Sequence, residues 1–313
     1  MPEIQPLPGD LGVPVLVYDR IASNKRQTWL MMFVFVAFIG AFATVIALAF
    51  GFPIQAAPIV FIVLGIYAAV SYYASASVAL AVSSAHEVTK EQEPDLYRVV
   101  ENLAIGSGLP MPKVHVIEDS APNAFATGRD PMHASVTATR GLLDKLEHNE
   151  LEAVIAHEIS HVGNYDIRVM TITVVLVGLV ALLADLFMRW TWFGAGRRRS
   201  NDDRGGQAQL LIFGIAIAFA LLAPIAAQLI QLAISRRREY LADASGALLC
   251  RNPDALARAL EKISADPEPL EAANKATAHL YFTNPLKEHQ SFLNNLFSTH
   301  PPVEERIRLL RAM

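Results

Sequence analysis

Cysteine is nearly missing from this 313-residue sequence, where Cys250 stands alone. No internal disulfide is possible, which excludes the small stapled scaffolds of secreted proteins and a Cys-rich structural zinc site. Charge is also scarce. Asp, Glu, Lys and Arg make up 18% of the chain, against about 25% in an average soluble domain. The net charge of -4 and pI of 6.1 give no footing for nucleic-acid binding. With 53% hydrophobic residues and a mean hydropathy of +0.32, the composition also excludes a disordered chain.

The missing charge is concentrated in particular segments. Gln27 to Ala85 holds no charged residue over 59 positions, and Gly205 to Ser235 none over 31. Val169 to Met188 carries one, Asp185, in 20. A bilayer core about 30 Å thick takes about 20 helical residues. Four apolar segments follow, at 29–50, 54–82, 169–188 and 209–234, with Gly51, Phe52, Pro53 and Pro58 dividing the first pair. The first 28 residues are polar, and the apolar stretch after them is too long for a signal-peptide core, so it reads as a retained anchor.

The fold class expected is a mainly α membrane protein. Four apolar transmembrane or membrane-hairpin helices accompany one α+β domain with a small sheet. The parts are a cytoplasmic tail at 1–28, a two-helix membrane anchor at 29–82, a polar block at 83–168, a helical hairpin at 169–234 and a second polar block at 235–313. In the first block, helical spacing covers 93–106, and extended segments at 113–118, 124–127 and 134–139 alternate with turn residues. A helix then runs from about 149 through His161 toward the third apolar segment. Further helices are expected near 237–249, 253–264 and 302–312. The loop at 51–53 lacks Lys and Arg, whereas Arg20, Lys25, Arg26, Lys90 and Arg98 flank the first pair of segments. This asymmetry places the tail and both polar blocks on the cytoplasmic side. The Arg-rich loop at 189–204 opposes a full crossing by the hairpin.

The sharpest local pattern is His157-Glu158-Ile159-Ser160-His161. Residues four apart share a helix face, so both imidazoles reach one ion, with Glu158 beside them as a base. Random placement at this composition gives the pattern roughly 0.014 times per chain. A catalytic zinc takes a third protein ligand. Glu239 and Asp243, also four apart, are candidates for a ligand and for a hydrogen-bond acceptor behind a ligating imidazole. His161 lies about 12 Å of helix before Val169, and Glu239 about 8 Å after Ile234. An antiparallel hairpin would therefore return both sets to one side of the membrane. Asn123-Ala124-Phe125 opens a segment suited to pairing with an extended peptide. His300 and Arg306 are candidates for stabilising an oxyanion.

The motifs HEISH, SRRREYLADA at Ser235–Ala244, NAFATG at Asn123–Gly128 and STHPPVEERI at Ser298–Ile307 occur in an order that resembles the HtpX-like membrane metalloproteases, gluzincins related to the CAAX prenyl proteases. The resemblance covers nearly the whole chain. It implies one Zn2+ on His157, His161 and Glu239, with Glu158 as base and Asp243 behind the ligands. It also implies His300, Arg306 and Asn123 as substrate or transition-state contacts. Its expected setting is the bacterial cytoplasmic (inner) membrane, in contact with the lipid bilayer. There the active site would face the cytoplasm and hydrolyse damaged or misfolded membrane proteins in stress-related quality control. No oligomeric state is implied. Two other classes fit the composition: a multispan transporter or channel with a metal-stabilised domain, and a catalytically silent membrane scaffold.

Overall fold

The computed structural model describes residues 17–49, 53, 55, 57–176, 214, 236–273, 277, 280–283 and 301–313. Two long helices, α1 (Val17–Ala49) and α2 (Ala57–Val82), open the chain. They pack against each other at Gly40, where a Cβ would stand 2.3 Å from the Phe61 ring. Only the absence of a side chain permits that approach. Among the described residues, Phe61–Val82 is the one helix long and apolar enough to cross a membrane, and 22% of its apolar window is buried. Ile62, Ile66 and Val70 project outward on it, and Trp29, Phe33 and Val34 do so on α1. The first two apolar segments expected from sequence thus coincide with long helices. The third is described as helix as far as residue 176; the fourth, apart from residue 214, lies outside the described residues, as does the Arg-rich loop.

The polar blocks form one α+β unit. Its sheet has the order β1 (His86–Glu87), β2 (Lys113–Ile117), β4 (Ala134–Thr139), β3 (Ala124–Gly128). β2 and β4 run parallel, and β1 and β3 pair antiparallel at the two edges. Strands β2 to β4 were predicted; β1, two residues long, is too short to leave a periodic signal. Helix α3 (Pro94–Ser107) ends at Gly108, whose φ of 68° closes the turn. The short α4 (Arg140–Lys145) leads to α5 (His148–Gly163). Helices α6 (Arg236–Cys250), α7 (Pro253–Ala265) and α8 (Val303–Leu310) complete the described unit.

Strand alternation sorts the sheet between two cores. Val114, Val116, Ala124, Ala126 and Val136 face a large core with Val154, Ile155 and Ile159 of α5 and Leu256 and Leu260 of α7. Ile117 and Phe125 face the other way, toward Ala79 of α2 and Met170, Val174, Leu280 and Tyr281. The sheet is therefore sandwiched between α5 and the end of α2.

One expectation is corrected here. The helix through His161 does not run on into the third apolar segment. It stops at Asn164 and Tyr165, and helix resumes over 166–176. Tyr165 takes a φ of 59°, a conformation costing about 1–2 kcal/mol for a bulky residue. The break follows Gly163, the last residue of α5, and falls on Asn164, two residue types that favour helix ends, so the sequence does carry a local stop signal there.

Gly246 of α6 sets how close the two motif-bearing helices come. A Cβ there would lie 2.8 Å from the His157 nitrogen and 2.9 Å from its Cα, both backbone atoms. Replacing glycine by alanine favours a helix by about 1 kcal/mol. Forcing a methyl into fixed backbone costs about 1–3 kcal/mol and displaces α6. Gly246→Ala is therefore expected to lower the melting temperature and weaken metal binding together, measured by thermal unfolding with and without added zinc. An unchanged or raised melting temperature would contradict this packing.

Candidate active site

Helix α5 presents His157 and His161 one turn apart, and α6 lies across them at the glycine contact. The imidazole Nε2 atoms are 3.1 Å apart. Glu239 brings a carboxylate oxygen 3.8 Å from His157 Nε2 and another 3.7 Å from His161 Nε2. All three donor groups lie within 4.8 Å of one another and are buried. A triangle of this size suits ligands each about 2.0–2.2 Å from a shared ion. The donor set of two nitrogens and a carboxylate oxygen matches the chemistry of a catalytic zinc site.

The charge balance points the same way. Glu158, Glu239, Asp243 and Asp166 are buried around the imidazoles, against the buried guanidiniums of Arg306 and Arg238. With neutral imidazoles, these described groups leave two negative charges in excess, which a divalent cation would offset. The two histidines respond in opposite directions. Burial holds His157 down to about 4, outweighing the pull of the neighbouring Asp243 carboxylate. Burial also acts against a proton on His161, yet the Asp166 hydrogen bond and the charges of Glu239, Asp166 and Glu158 hold it up to about 9. The place beside His161 favours a positive charge.

Glu158 points to the sheet. Burial pushes its carboxyl up to about 7, with Glu239 adding to the rise and His161 and the backbone at Ala126 opposing it. Asp243 lies behind His157, with Oδ1 2.9 Å from Nδ1. Burial alone would raise its pKa, but Arg306 holds it below the usual carboxylate range. Arg306 Nε donates to Oδ2 at 2.8 Å and Nη2 to Oδ1 at 2.7 Å.

Several expectations are revised by this arrangement. Arg306, expected at an oxyanion, is fully buried, and its donors go to Asp243 and to the Phe282 carbonyl at 3.1 Å. It positions Asp243 in this structure. Phe125 points away from the imidazoles and packs its ring against Tyr281, centroids 5.1 Å apart. Asn123 donates to the Thr283 carbonyl at 3.1 Å and accepts the Thr283 N–H at 3.3 Å. The Ala124 carbonyl, on the outer edge of β3, accepts the Phe282 N–H at 2.8 Å. Phe282 also stands edge-on to His157, centroids 4.9 Å apart. The edge read as a peptide-pairing surface is thus occupied at Ala124 by the chain's own residues 282 and 283. His300 lies outside the described residues.

Sequence reasoning missed Asp166 and Phe282. Asp166 Oδ2 is 3.2 Å from His161 Nδ1. Five residues separate the two, which on an unbroken helix would turn them about 140° apart. Only the break at Asn164–Tyr165 brings them together. Phe282 sits in no recognisable motif.

The buried Arg306–Asp243 pair generates a stability prediction. Removing one partner of such a pair costs about 3–5 kcal/mol because the other charge is left stranded. Arg306→Met should lower the melting temperature strongly, and adding Asp243→Asn should restore part of the loss. No recovery in the double variant would show that the stranded charge is not the cause.

The sequence matches peptidase family M48 over residues 90–313. It is 47% identical over 300 residues to a protease HtpX homolog from Tropheryma whipplei strain TW08/27, covering 95% of this chain and 99% of the relative. A protease HtpX homolog from Dictyoglomus thermophilum is 46% identical over 304 residues, covering 96% of each. The crystal structure of S. mikatae Ste24p aligns with a TM-score of 0.49 at 19% identity, covering 93% of this chain and 66% of the other. On the identities and the family match, the chain belongs to peptidase family M48, among the HtpX-like membrane-associated metalloproteases.

Proposed function

We propose that this chain is a zinc-dependent endopeptidase of the cell membrane that cleaves damaged or misfolded membrane proteins at the cytoplasmic face. The single observation carrying the reading is the convergence of His157, His161 and Glu239 beside the buried Glu158. Supporting the setting are the apolar helix at Phe61–Val82 and the flanking Lys and Arg pattern.

His157, His161 and Glu239 would hold the ion, which supplies a Lewis acid for the scissile carbonyl. Glu158 takes the proton from the attacking water and passes it to the leaving amine. A carboxylate with a pKa raised toward neutrality suits both transfers. Asp243 orients the His157 ring through Nδ1, and Arg306 keeps Asp243 ionised. The substrate backbone extends along β3 from Asn123, with Ala124 as its pairing residue, so Phe282 must first leave the Ala124 carbonyl. His300 completes the transition-state contacts.

The test uses purified full-length protein in detergent or nanodiscs with a casein substrate. Cleavage should be lost on chelation and return with zinc. Glu158→Gln should retain the metal and lose at least about 100-fold in kcat, the lower range for a positioned proton-transfer group. Retained cleavage by metal-loaded Glu158→Gln would overturn the base assignment. A metal-loaded protein with no chelator-sensitive cleavage would favour a transporter or a silent scaffold.

A further inference from the structure

Asn24 lies on α1, 66 residues before the stretch that matches the peptidase family. Sequence alone places it in the polar tail at 1–28, whereas in the structure it belongs to the helix that continues into the first apolar segment. Nevertheless it is buried, and its carboxamide nitrogen donates twice: to the Asn164 carbonyl at 2.8 Å and to Asp166 Oδ1 at 2.8 Å. Both of its N–H groups are therefore spent on the turn that follows the HEISH helix. The other oxygen of Asp166 faces His161 Nδ1 at 3.2 Å. Arg238, the neighbour of Glu239, approaches Asp166 Oδ1 at 3.5 Å.

We propose that Asn24 is a positioning residue for the metal centre, acting from the N-terminal helix through Asp166 to fix the ring of His161. The reasoning begins with the turn. Asp166 reaches His161 only because the helix breaks at Asn164 and Tyr165, the latter in a left-handed conformation. Asn24 grips that turn on both sides, at the carbonyl of Asn164 and at the carboxylate of Asp166. One Asp166 oxygen is then held by α1 while the other is free to accept the Nδ1 proton of His161. That places the Nε2 lone pair toward His157 and Glu239. A ligating imidazole held this way has its tautomer and orientation set. Lys25 adds a separate contact, its ammonium 4.3 Å from the Tyr165 ring centroid, and does not touch Asp166. The two neighbours on α1 thus divide the work: Lys25 docks the helix on the turn, whereas Asn24 reaches the histidine.

This inference rests on the reading of His157, His161 and Glu239 as metal ligands. The test measures the zinc dissociation constant of the full chain in nanodiscs by competition with a chromophoric chelator. The visible bands of the Co2+-loaded protein supply a second readout, and circular dichroism monitors folding. Asn24→Ala should weaken zinc binding about 10–100-fold and shift the Co2+ bands. Asp166→Asn, which keeps the shape but cannot accept the His161 proton through its amide nitrogen, should do the same. The double variant should be no worse than the weaker single, because both act on one ring. Lys25→Ala should keep the wild-type dissociation constant within twofold. Wild-type affinity in folded Asn24→Ala or in Asp166→Asn would overturn the proposal. So would fully additive losses, or an equal loss in Lys25→Ala, either of which would mark a docking role only. Failure of the wild-type chain to bind zinc would instead overturn the underlying metal reading.

Discussion

Charge taken out of water governs this molecule. Glu158, Glu239, Asp243 and Asp166 are buried within one small region, with Arg306 and Arg238 among them. Each buried ion costs several kcal/mol unless it is paired and hydrogen-bonded. The compensations account for much of the local architecture. Arg306 grips Asp243 with two nitrogens, and Asp243 in turn faces His157. Asp166 is shared between His161 and Asn24. Gly246 lets α6 come close enough for Glu239 and Asp243 to reach the imidazoles. The negative excess that remains lies next to the ligand triangle, where a divalent ion would offset it.

The same constraint binds the two N-terminal helices to the α+β unit. α1 closes over the turn after α5 through Asn24 and Lys25. The end of α2 supplies Ala79 to the second core, and Ser83 meets the Tyr281 hydroxyl at 3.2 Å. Tyr281 then packs on Phe125 while the adjoining Phe282 faces His157. A path of contacts therefore runs from the end of α2, through residues 281–283, to the edge of the sheet and the face carrying His157. The two N-terminal helices and the site are one packed object.

The legible part of this arrangement was the part written at fixed spacing. His157, Glu158 and His161 share a helix turn, as do Glu239 and Asp243, so their faces followed from 3.6-residue periodicity. The three longer strands followed from alternation. The invisible part depended on tertiary contacts without local signal. One local signal was passed over: Gly163-Asn164 stands at the helix break, where the apolar stretch beyond it favoured continuity past His161. Asp166 becomes relevant only after that break. Asn24 carries no motif and lies in a polar stretch with Ser23, Lys25, Arg26 and Gln27, where nothing local sets it apart. Arg306 was read as facing substrate because its motif gave its chemistry but not its depth, and the buried carboxylate beside it is distant in sequence. Phe125 was read only as part of a peptide-pairing segment, because strand alternation fixes pairs of faces but not which of them meets α5.

X-ray absorption at the zinc edge, on the zinc-loaded full-length protein, tests the central claim most directly. The account predicts one zinc per chain whose protein ligands are two imidazoles and one carboxylate, with nitrogen and oxygen at about 2.0–2.2 Å and no sulfur. Sulfur scattering at about 2.3 Å, or a first shell without imidazole, would contradict it.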